Sequence, residues 1–153
     1  MLKFNEIYEA YEYANFGGVD DQSAHLNREL GKIVLVPSGL VSDPEEIEAA
    51  EKELENGEWI DIPNKHDLGL GKKLVFRFAS ENLSPADFSR VERFFSHSGA
   101  YGNWKDFLAE RGLLQKWYDF SFQSEVAALK EWLAQEEIPY EDETGKIIEP
   151  PRQ

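Results

Sequence analysis

The amino-acid sequence predicts an α+β fold, in which a small antiparallel sheet of about three strands is packed by five or six helices. Two observations favour this class. A β-branched run, KIVLV at residues 32–36, stands after turn residues in the N-terminal half. Apolar residues at helical spacing fill the C-terminal half, which is therefore predicted to be all helical. The length fits one domain at residues 1–140, followed by a charged tail at residues 141–153 that we expect to be flexible.

The first predicted elements are a helix and a β-hairpin. Within residues 3–14, apolar side chains recur at the spacing of one helix face, at Phe4, Ile7, Tyr8 and Tyr11. Gly17-Gly18 should end this helix. Residues 24–28 and 32–36 are predicted to pair as strands, because Gly31 suits the left-handed position of a turn with a bulge.

A second helix is predicted to start at Ser42-Asp43-Pro44-Glu45-Glu46. Asp43 can cap its first turn, Pro44 fits the first helical position, and Glu46 can complete a capping box. Its apolar stripe comprises Ile47, Ala50 and Leu54, and Gly57 should stop it. Residues 59–62 are then predicted to form a third short strand.

Residues 67–82 fit two periodicities. Leu74, Phe76 and Phe78 alternate as in a strand, whereas Leu70, Leu74, Val75 and Phe78 fit one face of a helix. Periodicity alone leaves both alternatives open.

Three further helices are predicted in the C-terminal half. The first has a capping signal at Ser84-Pro85-Ala86-Asp87, and the second opens at Ser98-Gly99 and closes at Gly112. The last covers residues 113–135 and places four apolar residues on one side, namely Tyr118, Phe122, Leu129 and Leu133.

Composition excludes several functional classes. The formal net charge is −14, from 30 acidic and 16 basic residues, so the surface repels phosphates and disfavours nucleic-acid partners. The absence of cysteine excludes disulfides, thiolate nucleophiles and cysteine-ligated zinc. Acidic residues interrupt the N-terminal segment, and no apolar run approaches the roughly 20 residues that cross a bilayer. We therefore expect no signal peptide, no membrane partner and a cytoplasmic location.

Charge is unevenly distributed along the chain. Residues 43–61 hold nine acidic residues and one basic residue, while residues 65–116 hold nine basic and six acidic residues. The acidic run fits a solvated helix face, or a docking surface for a basic partner protein. It lacks the alternating ligands and central glycine of a calcium-binding loop.

One candidate anion site precedes the helix that opens at Ser98-Gly99. Free backbone N–H groups at a helix start can hold an anion, and Arg93, His97 and Lys105 could assist them. The alternative is that Ser98 only caps the helix and that the charged side chains are solvated.

The sequence carries no motif that predicts a catalytic site, a metal or a cofactor. His25, His66 and His97 lack a metal-ligand spacing, and no P-loop, dinucleotide or nucleophile-elbow motif is present. By spacing, the large aromatic residues are mostly core. One or two of them at an exposed edge would make good interface anchors, with Trp104, Trp117 and Tyr118 as the candidates.

Several short motifs follow one another in the order found in a bacterial family. They are Gln22–Asn27, Gly31–Val34, Trp59–Pro63, Gly99–Tyr101, Trp104–Leu108, Gly112-Leu113, Trp117–Phe120 and Glu131–Leu133, and they span about 110 residues. On these motifs the chain resembles Uncharacterised Protein Family 0158. The resemblance implies that residues 67–82 are helical and that a hairpin plus one strand is packed by helices, and it implies no activity. Members often carry arginine where this chain has Gly102 and Asn103, which weakens the candidate anion site.

Two functional hypotheses follow from the sequence. The favoured one is a non-enzymatic cytoplasmic protein that binds another, basic protein, in an immunity, antitoxin or regulatory role. The alternative is a small-ligand binder or enzyme that uses Arg93, His97 and Lys105, with Tyr118 nearby. Nucleic-acid binding through the basic middle region ranks last.

Overall fold

The computed structural model describes residues 1–15, 22–38 and 43–150. Backbone contacts divide the chain into two compact units, which we call the sheet unit (Met1–Leu68 with Leu129–Gln153) and the helical unit (Gly69–Ala128). The described residues form six helices, a three-stranded antiparallel sheet and a two-stranded sheet. The predicted α+β class is therefore confirmed, whereas a single domain over residues 1–140 stays a prediction.

The sheet unit is built on three antiparallel strands in the spatial order β2-β1-β3. Its elements are α1 (Phe4–Ala14), β1 (Ser23–Asn27), β2 (Lys32–Val36), α2 (Pro44–Leu54), β3 (Ile60–Asp61), β4 (Tyr140–Glu141) and β5 (Ile147–Ile148). Helix α1 packs against β1 and β2, and α2 packs against β2. The predicted hairpin and third strand are therefore present, with the third strand shorter than expected.

Helix α1 buries most of the predicted stripe. Phe4, Ile7 and Tyr11 are buried, and Tyr8 is half-buried. The helix ends at Ala14, where the side-chain amide of Asn15 donates to the carbonyl of Tyr11 at 2.8 Å. Gly17-Gly18, which were predicted to end the helix, lie outside the described residues.

Helix α2 begins as predicted but buries little. The carboxylate of Asp43 accepts a hydrogen bond from the backbone N–H of Glu45 at 3.1 Å, and Pro44 occupies the first helical position. The predicted stripe of Ile47, Ala50 and Leu54 is only half-buried. The remaining residues of α2 are exposed, except for the half-buried Glu53, and most of them are glutamates. The helix therefore presents mainly carboxylates to solvent.

The helical unit contains α3 (Lys72–Asn82), α4 (Pro85–Phe94), α5 (Ala100–Glu110) and the start of α6 (Leu114–Gln135). The segment with two periodicities contributes α3, as the family resemblance implied. Leu74, Val75 and Phe78 are buried from one face of this helix. The helical alternative is correct because the residues at i, i+1 and i+4 all enter the aromatic core of the unit.

The ends of the helices in this unit follow local chemistry, with one exception. The hydroxyl of Ser84 accepts from the N–H of Asp87 at 3.2 Å, as predicted. Gly112 is left-handed, and the bonds from Leu113 N–H to the carbonyl of Leu108 and from Gly112 N–H to that of Ala109 complete a Schellman motif. The prediction that Ser98 caps α5 is wrong. The cap residue is Gly99, in a left-handed conformation without a side-chain capping bond.

The predicted one-sided stripe of the last helix holds only in part. Leu129 and Leu133 are buried, but Tyr118 and Phe122 are 45% and 53% exposed. In the helical unit Trp117 is the buried residue of this helix instead. Within the described ranges, no helix has the length and hydrophobicity needed to cross a membrane.

Part of the predicted tail is a β-hairpin. Tyr140 pairs with Ile148 and Glu141 with Ile147. The carboxylate of Asp142 closes the turn by accepting from the hydroxyl of Thr144 at 2.6 Å and from the N–H of Lys146 at 3.0 Å. The flexibility expected of residues 141–153 stays a prediction, but residues 140–148 carry their own hydrogen-bonded structure.

Candidate functional site

A polar pocket opens in the sheet unit beside strands β1 and β3. Its volume is about 460 Å³, and its polar lining includes Ser23, His25, Asp61, Asn64, Lys65 and His66. This volume falls within the range of about 300–1,000 Å³ that is common for small-molecule sites. We call it the polar pocket.

The alternation of strand β1 directs two polar side chains to the same face. Ala24 and Leu26 are 1% and 0% exposed, so they face the core of the sheet unit. Ser23 and His25 stand on the opposite face, because successive residues of a strand point to opposite sides. Their i, i+2 spacing brings the two side chains within direct reach of each other.

Strand pairing adds the third side chain. Asp61 of β3 is the direct cross-strand neighbour of His25, and the N–H of Ile62 donates to the carbonyl of Ala24 at 2.9 Å. Cross-strand neighbours share a face of the sheet and lie close enough for side-chain hydrogen bonds. Asp61 therefore contacts His25 although the two residues lie 36 positions apart in the sequence.

The three side chains form one hydrogen-bonded chain. The hydroxyl oxygen of Ser23 lies 2.9 Å from Nε2 of His25, and Oδ1 of Asp61 lies 2.6 Å from Nδ1 of the same ring. An ionised carboxylate only accepts hydrogen bonds, so Nδ1 must carry the proton that it shares with Asp61. In the neutral ring Nε2 is then an acceptor, and Ser23 donates to it. The geometry thus selects one tautomer of His25.

The exposed fraction of the side chains differs sharply within the hydrogen-bonded set Ser23, His25 and Asp61. The side chain of His25 is 15% exposed, whereas that of Asp61 is 84% exposed. Asp61 therefore orients the ring from the solvent side, and water screens its charge more than it would screen a buried carboxylate. The backbone of the sheet fixes the position of His25, and the hydrogen bond to Asp61 fixes the rotation of its ring.

A short loop after β3 completes the polar pocket. Asn64 and Asp67 bond reciprocally, with Asp67 N–H donating to Oδ1 of Asn64 at 2.8 Å and Asn64 N–H donating to the Asp67 carboxylate at 3.4 Å. The N–H of Lys65 donates to Oδ1 of Asn15 at 2.9 Å, which ties the loop to the end of α1. These bonds fix the backbone that presents Lys65 and His66 to the pocket.

The described residues contain no candidate cluster of metal ligands. Across residues 1–15, 22–38 and 43–150, histidine, aspartate and glutamate side chains form no group of three with the geometry of a metal site. The polar pocket itself is lined by hydroxyl, imidazole, amide, ammonium and carboxylate groups.

The residues predicted to hold an anion lie in the helical unit and are exposed. Arg93 is in the last turn of α4, His97 and Ser98 are in the following turn, and Gly99 precedes α5. Lys105 lies 6.0 Å from the ring of Tyr118. Among the described side chains, no hydrogen bond or ion pair joins Arg93, His97 and Lys105, and the anion site stays a prediction.

The predicted interface anchors divide by burial. Trp104 and Trp117 are 0% and 6% exposed and belong to the core of the helical unit, so the surface role predicted for them is wrong. They are buried because each stacks edge-to-face with Phe78 and with the other. Tyr118 is exposed, and its interface role stays a prediction.

Sequence reasoning missed the Ser23–His25–Asp61 chain. In the sequence, His25 has no partner at a metal-ligand spacing and so gives no signal of that kind. The available signal was Ser-x-His at the start of the first strand, since residues at i and i+2 share a face, but the predicted strand began at residue 24 and left Ser23 outside it. Asp61 gave no comparable signal, because its pairing with His25 depends on the register between β1 and β3.

In comparisons with known proteins, no family model, no curated protein and no solved structure matches the chain. The resemblance to Uncharacterised Protein Family 0158 therefore stays a prediction.

Proposed function

We propose that the sheet unit binds a small polar organic molecule in the polar pocket. The observation that carries this proposal is the placement of His25 at the pocket, with both ring nitrogens engaged in defined hydrogen bonds. The ring in turn fixes the Ser23 hydroxyl and the Asp61 carboxylate on either side of it, and fixed polar groups in a concave site are what orients a small ligand.

The lining favours a ligand that carries both acceptor and donor groups. Lys65, His66 and Asn64 supply donors on the loop side, while Asp61 and Asp67 supply carboxylates. Opposite charges in one small site favour a molecule with a carbonyl or carboxylate at one end and a hydroxyl or amine at the other. We therefore propose that the small-ligand site lies at the polar pocket of the sheet unit, and not at Arg93, His97 and Lys105 of the helical unit.

Ligand-observed NMR with small carboxylates, amides and amines tests this proposal. Saturation transfer should reach at least one of these probes in the wild-type protein and should be lost in His25→Ala. His97→Ala is the matched control, because His97 is an exposed histidine in the helical unit. If no probe binds, or if binding survives in His25→Ala, the proposal fails.

A second function, binding of a basic protein, has its own supporting observation. None of the residues of α2 is buried, and Glu45, Glu48 and Glu51 are all exposed along it. An acidic face of this kind attracts a basic partner and speeds its association at low salt. An immunity, antitoxin or regulatory role would use the face in this way.

Neutralising the charges of α2 tests whether a basic partner binds this helix or is attracted only by the net negative charge of the protein. A partner captured by the wild-type protein at low salt should be lost with Glu45→Gln, Glu48→Gln and Glu51→Gln combined. The control combines Glu81→Gln, Glu92→Gln and Glu110→Gln, which remove the same charge from exposed positions in the helical unit. Equal capture by both triple variants would count against a role for α2.

We also propose a cytoplasmic location and membership of Uncharacterised Protein Family 0158. The absence of cysteine from the sequence supports the location, and the motifs from Gln22 to Leu133 support the family. Fractionation of cells that produce the protein, with blotting of each fraction, tests the location directly.

A further inference from the structure

We infer that Ser23, His25 and Asp61 form an acyl-transfer site, in which Ser23 is the nucleophile toward a small activated ester or thioester. The inference deepens the proposed function, since it rests on a ligand entering the polar pocket. Its basis is the order of the hydrogen-bonded chain, from hydroxyl to imidazole to carboxylate, with each ring nitrogen bonded to the group that nucleophilic catalysis requires.

The first argument is the connectivity of the ring. A serine hydroxyl is a weak nucleophile until a neighbouring base removes its proton. Nε2 of His25 lies 2.9 Å from the Ser23 hydroxyl, within the range for direct proton transfer. Asp61 holds the proton on Nδ1, which keeps the lone pair of Nε2 directed at Ser23. The other neutral tautomer, with the proton on Nε2, would leave the serine without a base.

The second argument is rigidity. Ser23 and His25 lie on the central strand of the three-stranded sheet, and His25 is paired with Val34 on one side and Asp61 on the other. Ala24 and Leu26 anchor the same strand in the core. Groups on a sheet held in this way keep their spacing without reorganisation, which is the condition for efficient proton transfer.

The third argument limits the substrate. The residues after Ser23 continue the strand to Asn27, so their N–H groups serve the sheet instead of a helix start that could hold an oxyanion. Stabilisation must come from side chains of the loop. Oδ1 of Asn64 already accepts a hydrogen bond from the N–H of Asp67. The amide NH₂ group is therefore the part of this pocket-lining side chain that can donate to an oxyanion. With such limited help, an acyl group with a good leaving group reacts, and an amide does not.

The reaction has two balanced halves. The oxygen of Ser23 bonds to the carbonyl carbon of the substrate while its proton passes to Nε2 of His25. The bond from that carbon to the leaving oxygen or sulfur then breaks, and the leaving group takes the proton from His25. In the second half water attacks the acyl-serine, His25 accepts a proton from the water, and Ser23 recovers it as the carboxylic acid departs. The net change is ester or thioester plus water to acid plus alcohol or thiol.

Hydrolysis of p-nitrophenyl acetate by the full chain tests the inference. Release of p-nitrophenolate should exceed the rate with denatured protein, and intact mass should show one acetyl adduct that peptide mapping places on Ser23. Ser23→Ala and His25→Ala should each lower the rate by about 100-fold or more, because both halves of the reaction lose a required group. Asp61→Asn should lower it by a smaller factor, on the order of tenfold, because the exposed carboxylate is screened by water.

Ser80→Ala and Ser89→Ala are the matched controls and should leave the rate unchanged, since both serines are exposed in the helical unit and lie outside both candidate sites. Ser23→Cys provides a second check, because it retains a nucleophile beside His25 and should still take the acetyl group.

Two outcomes overturn the inference. One is an acetyl adduct on Lys65 or another lysine with none on Ser23, and the other is an equal rate in the wild type and Ser23→Ala. If NMR probes still bind in a manner that depends on His25, the ligand pocket stands and only the acyl-transfer chemistry is lost. If the probes do not bind either, the proposed function has failed with it.

Discussion

The interiors of the two compact units are made of different residues. The helical unit is centred on interlocking aromatic rings, with Phe78 within 6.0 Å of Trp104 and within 5.4 Å of Trp117 by ring centroids. The sheet unit relies more on aliphatic residues of its strands and of the end of α6, such as Leu26, Val34, Leu129 and Leu133. The polar pocket lies in the sheet unit.

This difference shows that the residues that stabilise a fold can belong to a different unit from the residues that line its pocket. Edge-to-face aromatic pairs each add roughly 0.5–1.5 kcal/mol beyond area burial, so they suit a unit made of short helices. A strand instead divides its residues strictly between two faces, so β1 can anchor itself with Ala24 and Leu26 while presenting Ser23 and His25. A short helix would not offer this division to adjacent residues.

The largest expected effect tests the aromatic interior. Trp104→Ala should lower the free energy of unfolding by about 3–5 kcal/mol, because it leaves a cavity between Phe78 and Trp117. Chemical denaturation followed by circular dichroism measures this change. Tyr118→Ala is the control, and it should cost about 1 kcal/mol or less because Tyr118 is 45% exposed. Similar losses in both variants would contradict the aromatic core.

A milder replacement sharpens the same test. Trp104→Phe should cost clearly less than Trp104→Ala, since it keeps a ring in the core. It also removes an indole N–H that is buried and has no hydrogen-bond acceptor among the described residues. The same denaturation experiment gives both values.

The next effect concerns glycines and differs between the units. Gly57 of the sheet unit has φ +97°, and an added Cβ would lie 2.9 Å from Nδ2 of the buried Asn27. Gly57→Ala should therefore cost about 1–3 kcal/mol. Gly102→Ala in α5 of the helical unit should instead add roughly 0.5–1 kcal/mol, because a Cβ there meets nothing within 4 Å. Opposite signs in thermal melting confirm the contrast, and equal signs contradict it.

A smaller gain is expected where α6 ends in the sheet unit. Glu137 has φ 57°, and the N–H of Ile138 donates to the carbonyl of Leu133 in a Schellman motif with a non-glycine left-handed residue. Glu137→Gly should raise the free energy of unfolding by about 1 kcal/mol, since it removes the strain of that conformation. Glu136→Gly removes the same charge without relieving a left-handed residue, so a gain there too would argue against strain as the cause.

The smallest expected effect is a pH dependence in the helical unit. A hydrogen bond from Arg111, at 3.0 Å, lowers the pKa of Asp87 below its ordinary value. A carboxylate with a lowered folded-state pKa stabilises the fold at neutral pH, and this contribution disappears as the pH falls through that pKa. The melting temperature of Asp87→Asn should thus lie slightly below that of the wild type at neutral pH, and the two should converge only once the pH falls below the lowered pKa of Asp87. A gap that persists in strong acid would show that charge is not its cause.

Much of the fold could be predicted from local chemistry. Asp43 and Ser84 cap helices as their sequence context predicts, and the left-handed Gly112 ends α5. These features depend on residues within a few positions of one another, which is why sequence alone reveals them. Ser98 shows the limit of this reasoning, because the adjacent Gly99 took the capping position in a left-handed conformation that needs no side-chain bond.

Positions that depend on distant neighbours could not be predicted in the same way. Periodicity placed Tyr118 and Phe122 on the same side as Leu129 and Leu133, yet the first two are exposed and the last two are buried. A helical stripe gives the direction of a side chain, whereas burial depends on what lies opposite it along each part of the helix. The spacing of Trp104 and Trp117 fitted the core, yet both were also candidates for an interface, and only their ring contacts explain why neither reaches the surface.

By itself, the sequence determined the α+β class, the polarity of the surface and the starts of most helices, because composition and short-range hydrogen bonds govern these properties. The sequence also predicted the strand that carries His25, although the predicted strand began at residue 24, one position after Ser23. Only the tertiary structure decided that Asp61 stands beside His25 and that a pocket opens around them. The physical reason is that strand register is set by the packing of the whole sheet, and no local pattern at Asp61 encodes it.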